Sequence, residues 1–401
     1  MYENPEAPND NNGNNSSAGA IEGTVYSKAW ALDALVQLVK ALENAEPPTE
    51  LSDELEETLA KLWDMSTDEN VAQFLAENQL VDILLPCCLN CQTEKSSRAA
   101  EVALGIMANA VGYQSTGLCQ QINEQDYFRQ ALVGLFAKFS NDVEVLVQLF
   151  RLLHASLRSD CQNQWEETIL DTELLKDVRD NDEDADEQMV DEFSLVDFFV
   201  FVFSNCKNED VLLDLTKVVE ILCGNGARFL LVAAATSKFS QAILEALNEL
   251  QWQVSNEIVG RMLNCLYMIS TVDHFRIDFA KLLATNQRDI SSILADFIIK
   301  YLENQVVTKV EDVNVTIAVS ISLLLWFISE LSPSNFPLLY QKQALWSQIG
   351  SVRKLLKSHI FTASEEQSPG AILKGNIDDF VQSLSSNSDP NVDQFILSKL
   401  Q

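Results

Sequence analysis

Four stretches of this chain share one form, and that recurrence limits the fold more than any single residue does. "DVEVLVQLFRLLHASL" (142–157), "NEDVLLDLTKVVEILCGNG" (208–226), "NEIVGRMLNCLYMISTVD" (256–273) and "DVNVTIAVSISLLLWFISE" (312–330) each open on Asn, Asp or Glu with a valine and run into an apolar segment. Three to four helical turns fit each one. The openings fall at 142, 208, 256 and 312, separations of 66, 48 and 56 residues. Armadillo and HEAT units run about 40–47 residues, so the spacing suits a stacked-helix array with an insertion in its longest interval. Turn-rich all-β folds need more than the 13 Gly and 9 Pro present, whereas a 47% hydrophobic content supplies a large core. The expected fold is all-α, an armadillo/HEAT-like α-solenoid.

Along the chain, residues 1–20 are Asn-, Pro- and Glu-rich and read as a disordered tail, followed by one armadillo-like helical domain over 21–401. From Tyr26, an apolar helix face is expected on Trp30, Leu32, Leu35, Val36, Leu38 and Val39, and Pro47-Pro48 breaks it. Leu55, Leu59, Leu62 and Trp63 form the next stripe. Ser66 with Glu69 three residues on fits a capping box that would start a helix carrying Val71, Phe74 and Leu75. Pro86 is expected to bend or end the helix begun by "NQLVDILLPCCLNC"; Ala100, Ala103, Leu104, Met107 and Ala108 then recur at threes and fours in "SSRAAEVALGIMANAVG" (96–112). "TASEEQSPGAILKGNIDD" (362–379) reads as a loop before a last helix at "DQFILSKL".

The insertion lies at 171–192, "DTELLKDVRDNDEDADEQMVDE", with eleven acidic residues against Lys176 and Arg179. It is either an acidic arm that docks on a basic partner or a solvated surface loop. Over the whole chain 59 acidic residues face 27 basic ones, a formal charge of −32. Such a body repels nucleic acid and anionic lipid and attracts basic surfaces. The expected ligand is therefore a basic protein, with no nucleic acid and no membrane; oligomeric state is left open. "VNVTIAVSISLLLWFIS" (313–329) is uncharged, but Asn314, Thr316, Ser320 and Ser322 interrupt it and Asp312 and Glu330 flank it, so it reads as a buried helix. The polar N-terminus shows no secretory signal. An intracellular protein with reduced, buried cysteines is expected, and the sequons at Asn14 and Asn314 are chance matches.

Motifs for chemistry are thin. Cys87, Cys88 and Cys91 in "CCLNC" lack a second cysteine or histidine pair for zinc and a βαβ context for redox work, so they read as buried helical thiols. Helix entry accounts for Asp64, Asp68 and Glu69, Asp273-His274 reads as a loop after a helix, and Gly224-Asn225-Gly226 reads as a glycine C-cap between helices. No Gly-rich phosphate loop, nucleophile elbow or His-Glu-x-x-His is present. No catalytic, cofactor or metal residue is assigned, and a non-enzyme is expected, an unrecognised enzyme being the weakest alternative.

"GTVYSKAW" (23–30) and "LSDELEETLAKLWDMSTDENVAQFLAENQLVDIL" (51–84) together resemble the N-terminal signature of the serum amyloid A-like 1 family, through "VYSK-x-W", "WDMS" and "DE-x-VA-x-FL". The resemblance covers about the first quarter of the chain and marks a divergent member. It implies an armadillo-like helical fold, a nuclear location, with the cytoplasm as the alternative, and a link to cell proliferation; it defines no catalytic residues. Function is then read as a scaffold or adaptor that binds a protein partner in a groove, with an importin-like carrier or chaperone of basic cargo as the alternative. In armadillo-like repeats an Asn near the end of such a helix often bonds the backbone of an extended ligand, which the resemblance carries to Asn109; a helix-end cap is the other reading of that residue.

Overall fold

A computed structural model describes residues 19–43, 51–91, 96–113, 117–158, 162–170, 194–235, 237–251, 257–272, 295–300, 303, 307, 309–330, 342–362, 365, 367–386 and 396–400. The acidic insertion at 171–192 and the tail up to residue 18 lie outside them. Gly19 and Ala20, assigned to the tail from sequence, are tied to the first helix. The Lys28 N–H donates to the Gly19 carbonyl at 3.0 Å, and Ala20 pairs with Ser27 in an isolated antiparallel bridge.

The described chain is all-α and divides into two compact units, Met1–Phe199 and Val200–Gln401. The first holds α1 (Lys28–Glu43), α2 (Asp53–Met65), α3 (Glu69–Glu77), α4 (Leu80–Asn90), α5 (Ser97–Gly112), α6 (Leu118–Asn123), α7 (Asp126–Lys138), α8 (Val143–Leu157) and α9 (Gln162–Leu170). Helix α10 (Leu195–Asn205) crosses the division. The second unit holds α11 (Glu209–Asn225), α12 (Ala227–Ala235), α13 (Ser237–Glu249), α14 (Glu257–Ser270), α15 (Val315–Glu330), α16 (Gln343–Ser358) and α17 (Pro369–Ser386).

The four recurrent stretches are α8, α11, α14 and α15, and each packs along another long helix of its own unit. In the first unit α8 lies on α5; in the second, α11, α14, α15 and α17 pack in succession. The polar openings cap them. Asp142 accepts from the Val145 N–H at 3.1 Å, Asn208 from Asp210 and Val211 at 3.0 Å each, and Asn314 from Ile317 at 3.0 Å. Each cap satisfies first-turn donors that the helix cannot. The opening residue at 256 lies outside the described residues. Helix α5 is buried nearly all round, with Ala99, Ala100, Ala103, Ala108 and Ala110 sealed, because methyl side chains let neighbouring backbones close in.

Several local expectations change. In α1 the buried face is Ala31, Ala34, Leu35 and Leu38, an i, i+3, i+4, i+7 stripe, while Val36 falls off that stripe and is 45% exposed. Ser66 does not cap α3. It ends α2, its hydroxyl donating to the Trp63 carbonyl at 2.6 Å, and Asp68 caps α3 by accepting from Asn70 at 2.9 Å and Val71 at 3.4 Å. The α2–α3 turn is one residue pair longer than a capping box at Ser66 requires, so the nearer carboxylate takes the amides. Pro86 does not end α4, which continues to Asn90. The missing N–H falls on an exposed position, where water solvates the carbonyl that loses its donor. Residues 369–379 are helical rather than loop: Ser368 accepts from the Ala371 N–H at 3.3 Å, Pro369 sits at the first helical position, and Leu373, Ile377, Phe380 and Leu384 form a buried stripe. Glycines 370 and 375 had masked that periodicity.

Other expectations hold. Gly226 closes α11, its N–H donating to the Leu222 carbonyl at 2.8 Å, in extended rather than left-handed conformation. The 313–329 stretch is the buried helix α15, and among the described residues no single helix is long and apolar enough to cross a membrane.

Cys87, Cys88, Cys91, Cys119, Cys223 and Cys265 are buried free thiols. Burial pushes the Cys223 thiol up to about 12, with Glu220 adding to the effect, and raises those of Cys88 and Cys265 well above the ordinary range. Only about one Cys223 in ten thousand is then thiolate at pH 8, so iodoacetamide should leave it unlabelled until denaturant unfolds the chain. The raised thiols favour the folded state fully below about pH 9, the unfolded value, and that contribution is lost as pH climbs toward 12. Melting temperature measured at pH 8 and pH 11 should fall with the change.

Candidate interaction faces and a cavity

The "WDMS" turn is held by α5. Gly105 lies against the Trp63 indole so closely that a Cβ there would sit 2.3 Å from the ring. One turn on, Asn109 donates to the Ser66 hydroxyl at 3.0 Å and to the Trp63 carbonyl at 3.3 Å, satisfying the C-terminal end of α2. Its side-chain oxygen accepts from Arg151 on α8 at 2.8 Å, and Arg151 also donates to Gln148 at 2.5 Å. The Tyr113 hydroxyl donates to the Thr67 carbonyl in the same corner. Asn109 is half-buried, and its amide is spent on α2 and α8. The structure places it inside α5, in a polar seam joining three helices.

A second seam joins α11 to α14. Glu220 accepts from Arg261 and, at 2.6 Å, from Asn264, while Glu257 on α14 also takes Arg261 at 2.8 Å. The Arg261 guanidinium is held above its ordinary value by hydrogen bonds and charge from Glu257 and Glu220, which outweigh its partial burial. None of Arg151, Glu220, Arg261 or Asn264 stood out in the sequence. The signal available was a polar residue within an apolar helix, as Arg261 and Asn264 are in "GRMLNCLYM".

Between α14, α15 and α17 lies a cavity of about 390 Å³. Tyr267, Trp326 and Phe380 supply its aromatic walls, and Asp379 opens onto it from α17. Asn376 spans the base, donating to the Tyr267 hydroxyl at 3.1 Å and the Ser322 hydroxyl at 2.7 Å. Its depth comes from the chain itself: Phe380 is pinned from behind by a parallel stack on Trp346 of α16, ring centroids 6.2 Å apart. This site was invisible from sequence, because residues 369–379 read as loop.

Stacked long helices tied by lateral polar seams define an all-α protein of the solenoid type, matching the expected fold class. No family model matches the chain. It is 34% identical over 158 residues to "Protein saal1" of Danio rerio, 28% over 212 residues to "Protein SAAL1" of Homo sapiens and 29% over 176 residues to "Protein saal1" of Xenopus tropicalis. These matches take in 38%, 50% and 42% of this chain and 32%, 39% and 37% of the relatives, so the chain spans between about a third and two fifths of the proteins it matches. Over these stretches the chain is similar to the vertebrate serum amyloid A-like 1 proteins, at the distance expected of a divergent relative.

Proposed function

We propose that the protein is a non-enzymatic scaffold or adaptor that binds a basic protein partner. The observation that carries this reading is the packing in series of α11, α14, α15 and α17, the stacked-helix arrangement on which repeat proteins build extended binding surfaces. A net charge of −32 favours a basic partner. The nuclear location and proliferation link implied by the family resemblance accompany this reading, as does the importin-like carrier, which the charge also favours.

Affinity capture from a lysate with the intact protein, followed by mass spectrometry, tests it. A basic protein should be recovered and then lost between 50 and 500 mM salt, because its contacts are largely electrostatic (the salts span Debye lengths from more than about 10 Å to a few ångströms). Recovery that ignores salt, or capture of acidic proteins alone, overturns the reading.

A further inference from the structure

Besides the seams, which are internally paired, the cavity between α14, α15 and α17 is the feature with room for a ligand. At about 390 Å³ it lies within the range of small-ligand pockets. What decides its ligand is the direction of the hydrogen bonds in its walls. The Ser270 hydroxyl donates to the Tyr267 carbonyl at 2.6 Å, Thr271 to the Met268 carbonyl at 2.6 Å, and Ser329 to the Trp326 carbonyl at 2.7 Å. A hydroxyl has one hydrogen, so while these bonds stand each oxygen meets a ligand as an acceptor. The Asn376 amide likewise spends its N–H groups on Tyr267 and Ser322. Tyr267 and Ser322 retain hydroxyl hydrogens and the Trp326 indole N–H can only donate, so the acceptors are gathered at Ser270, Thr271, Ser329 and Asp379.

The one formal charge in the lining has the same preference. Asp379 makes no ion pair among the described residues, whereas its neighbour Asp378 is held by Arg353 at 3.0 Å. The aromatic faces of Tyr267, Trp326 and Phe380 attract cations through their ring quadrupoles. Acceptor hydroxyls on Ser270, Thr271 and Ser329, a carboxylate at the mouth and aromatic sides together suit a flat, donor-rich cation. A guanidinium carries five N–H donors and stacks on aromatic rings, which suits this combination better than a compact ammonium.

We propose that this cavity binds an arginine side chain of the protein partner, with Asp379 pairing the guanidinium and the hydroxyls of Ser270, Thr271 and Ser329 accepting from it. This rests on the adaptor reading for the source of the arginine, but the pocket can be tested without the partner. Full-length protein is titrated with a blocked Gly-Arg-Gly peptide and with its citrulline counterpart, which keeps the shape and loses the charge, and binding is read by calorimetry and tryptophan fluorescence. The arginine peptide should bind at least about tenfold more tightly than the citrulline one, and Asp379→Asn should remove that difference. Asp210→Asn, the same charge change on an exposed position of α11, should leave it intact. Equal binding of both peptides, no binding of either, or an equal loss in Asp210→Asn overturns the proposal. In the lysate capture, a basic partner retained undiminished by Asp379→Asn sinks the pocket and leaves the adaptor standing. Absence of any basic partner sinks the adaptor, while the peptide titration still judges the pocket.

Discussion

Gly105→Ala should destabilise the protein by about 1–3 kcal/mol, the cost of forcing a methyl group into a packed core. Glycine inside a helix ordinarily costs about 0.5–1 kcal/mol relative to alanine, so the usual expectation for this change is a gain. Here the new Cβ would lie 2.3 Å from Cε2 and 2.4 Å from Cζ2 of Trp63, atoms of a rigid ring that cannot fold away as a flexible chain end would. The indole has to shift, and with it the α2 terminus that Asn109 holds. Gly134→Ala in α7 is the control, since nothing lies within 4 Å of a Cβ built there. It should stabilise by about 0.5–1 kcal/mol. Denaturant unfolding followed by circular dichroism gives both signs, and a stabilised Gly105→Ala would show that Trp63 is not seated on α5 as described. Adding Trp63→Leu should recover part of the loss, a non-additivity that neighbours in contact produce.

Arg353→Met should cost about 2–3 kcal/mol and loosen the helical turn at 396–400. Arg353 is buried, and its guanidinium donates to the Leu400 carbonyl at 2.8 Å and to Asp378 at 3.0 and 3.2 Å. Breaking a fully buried pair costs about 3–5 kcal/mol because a charge is left stranded. Asp378 is 39% exposed and water solvates part of it, which puts the expectation below that range. Gly350 belongs to the same joint: a Cβ there would meet the Lys399 carbonyl oxygen at 2.2 Å, so only glycine lets the final turn lie this close to α16. Hydrogen exchange separates the local effect from a global one. Amides of 396–400 should exchange faster in Arg353→Met and in Gly350→Ala alike, while α5 and α8 stay protected. Unchanged exchange at 396–400 would remove the anchoring role of Arg353.

How much of this was legible in the residues differs by scale. The helices α8, α11, α14 and α15 were readable because burial periodicity and a polar opening are local properties of ten to fifteen residues (about three to four turns). The seat of Ser66 was not, because a serine followed by Glu69 satisfies a capping pattern on paper, and only the length of the turn shows that Asp68 reaches the amides first. Helix α17 was missed because Pro369, Gly370 and Gly375 carry low helix propensity, and tertiary burial of Leu373, Ile377 and Phe380 overrode it. Asn109 was singled out on resemblance, and its bonds to α2 and α8 were not legible, because they join residues 42 to 46 positions apart.

By itself the sequence determined the class: a helical-repeat chain with capped apolar helices, strong negative charge and the "VYSK-x-W" and "WDMS" motifs that carry its family resemblance. Those are matters of composition and near-neighbour spacing, which the chain carries before it folds. Tertiary structure alone decided which polar groups are spent and which are left over. Asn109, Glu220 and Arg353 are consumed by partners about 25 to 47 positions away, whereas Asp379 and the acceptor oxygens of Ser270, Thr271 and Ser329 converge on a cavity built from three helices far apart in the chain. Hydrogen-bond direction and packing distance are pairwise, long-range quantities, and they exist only once the helices have met.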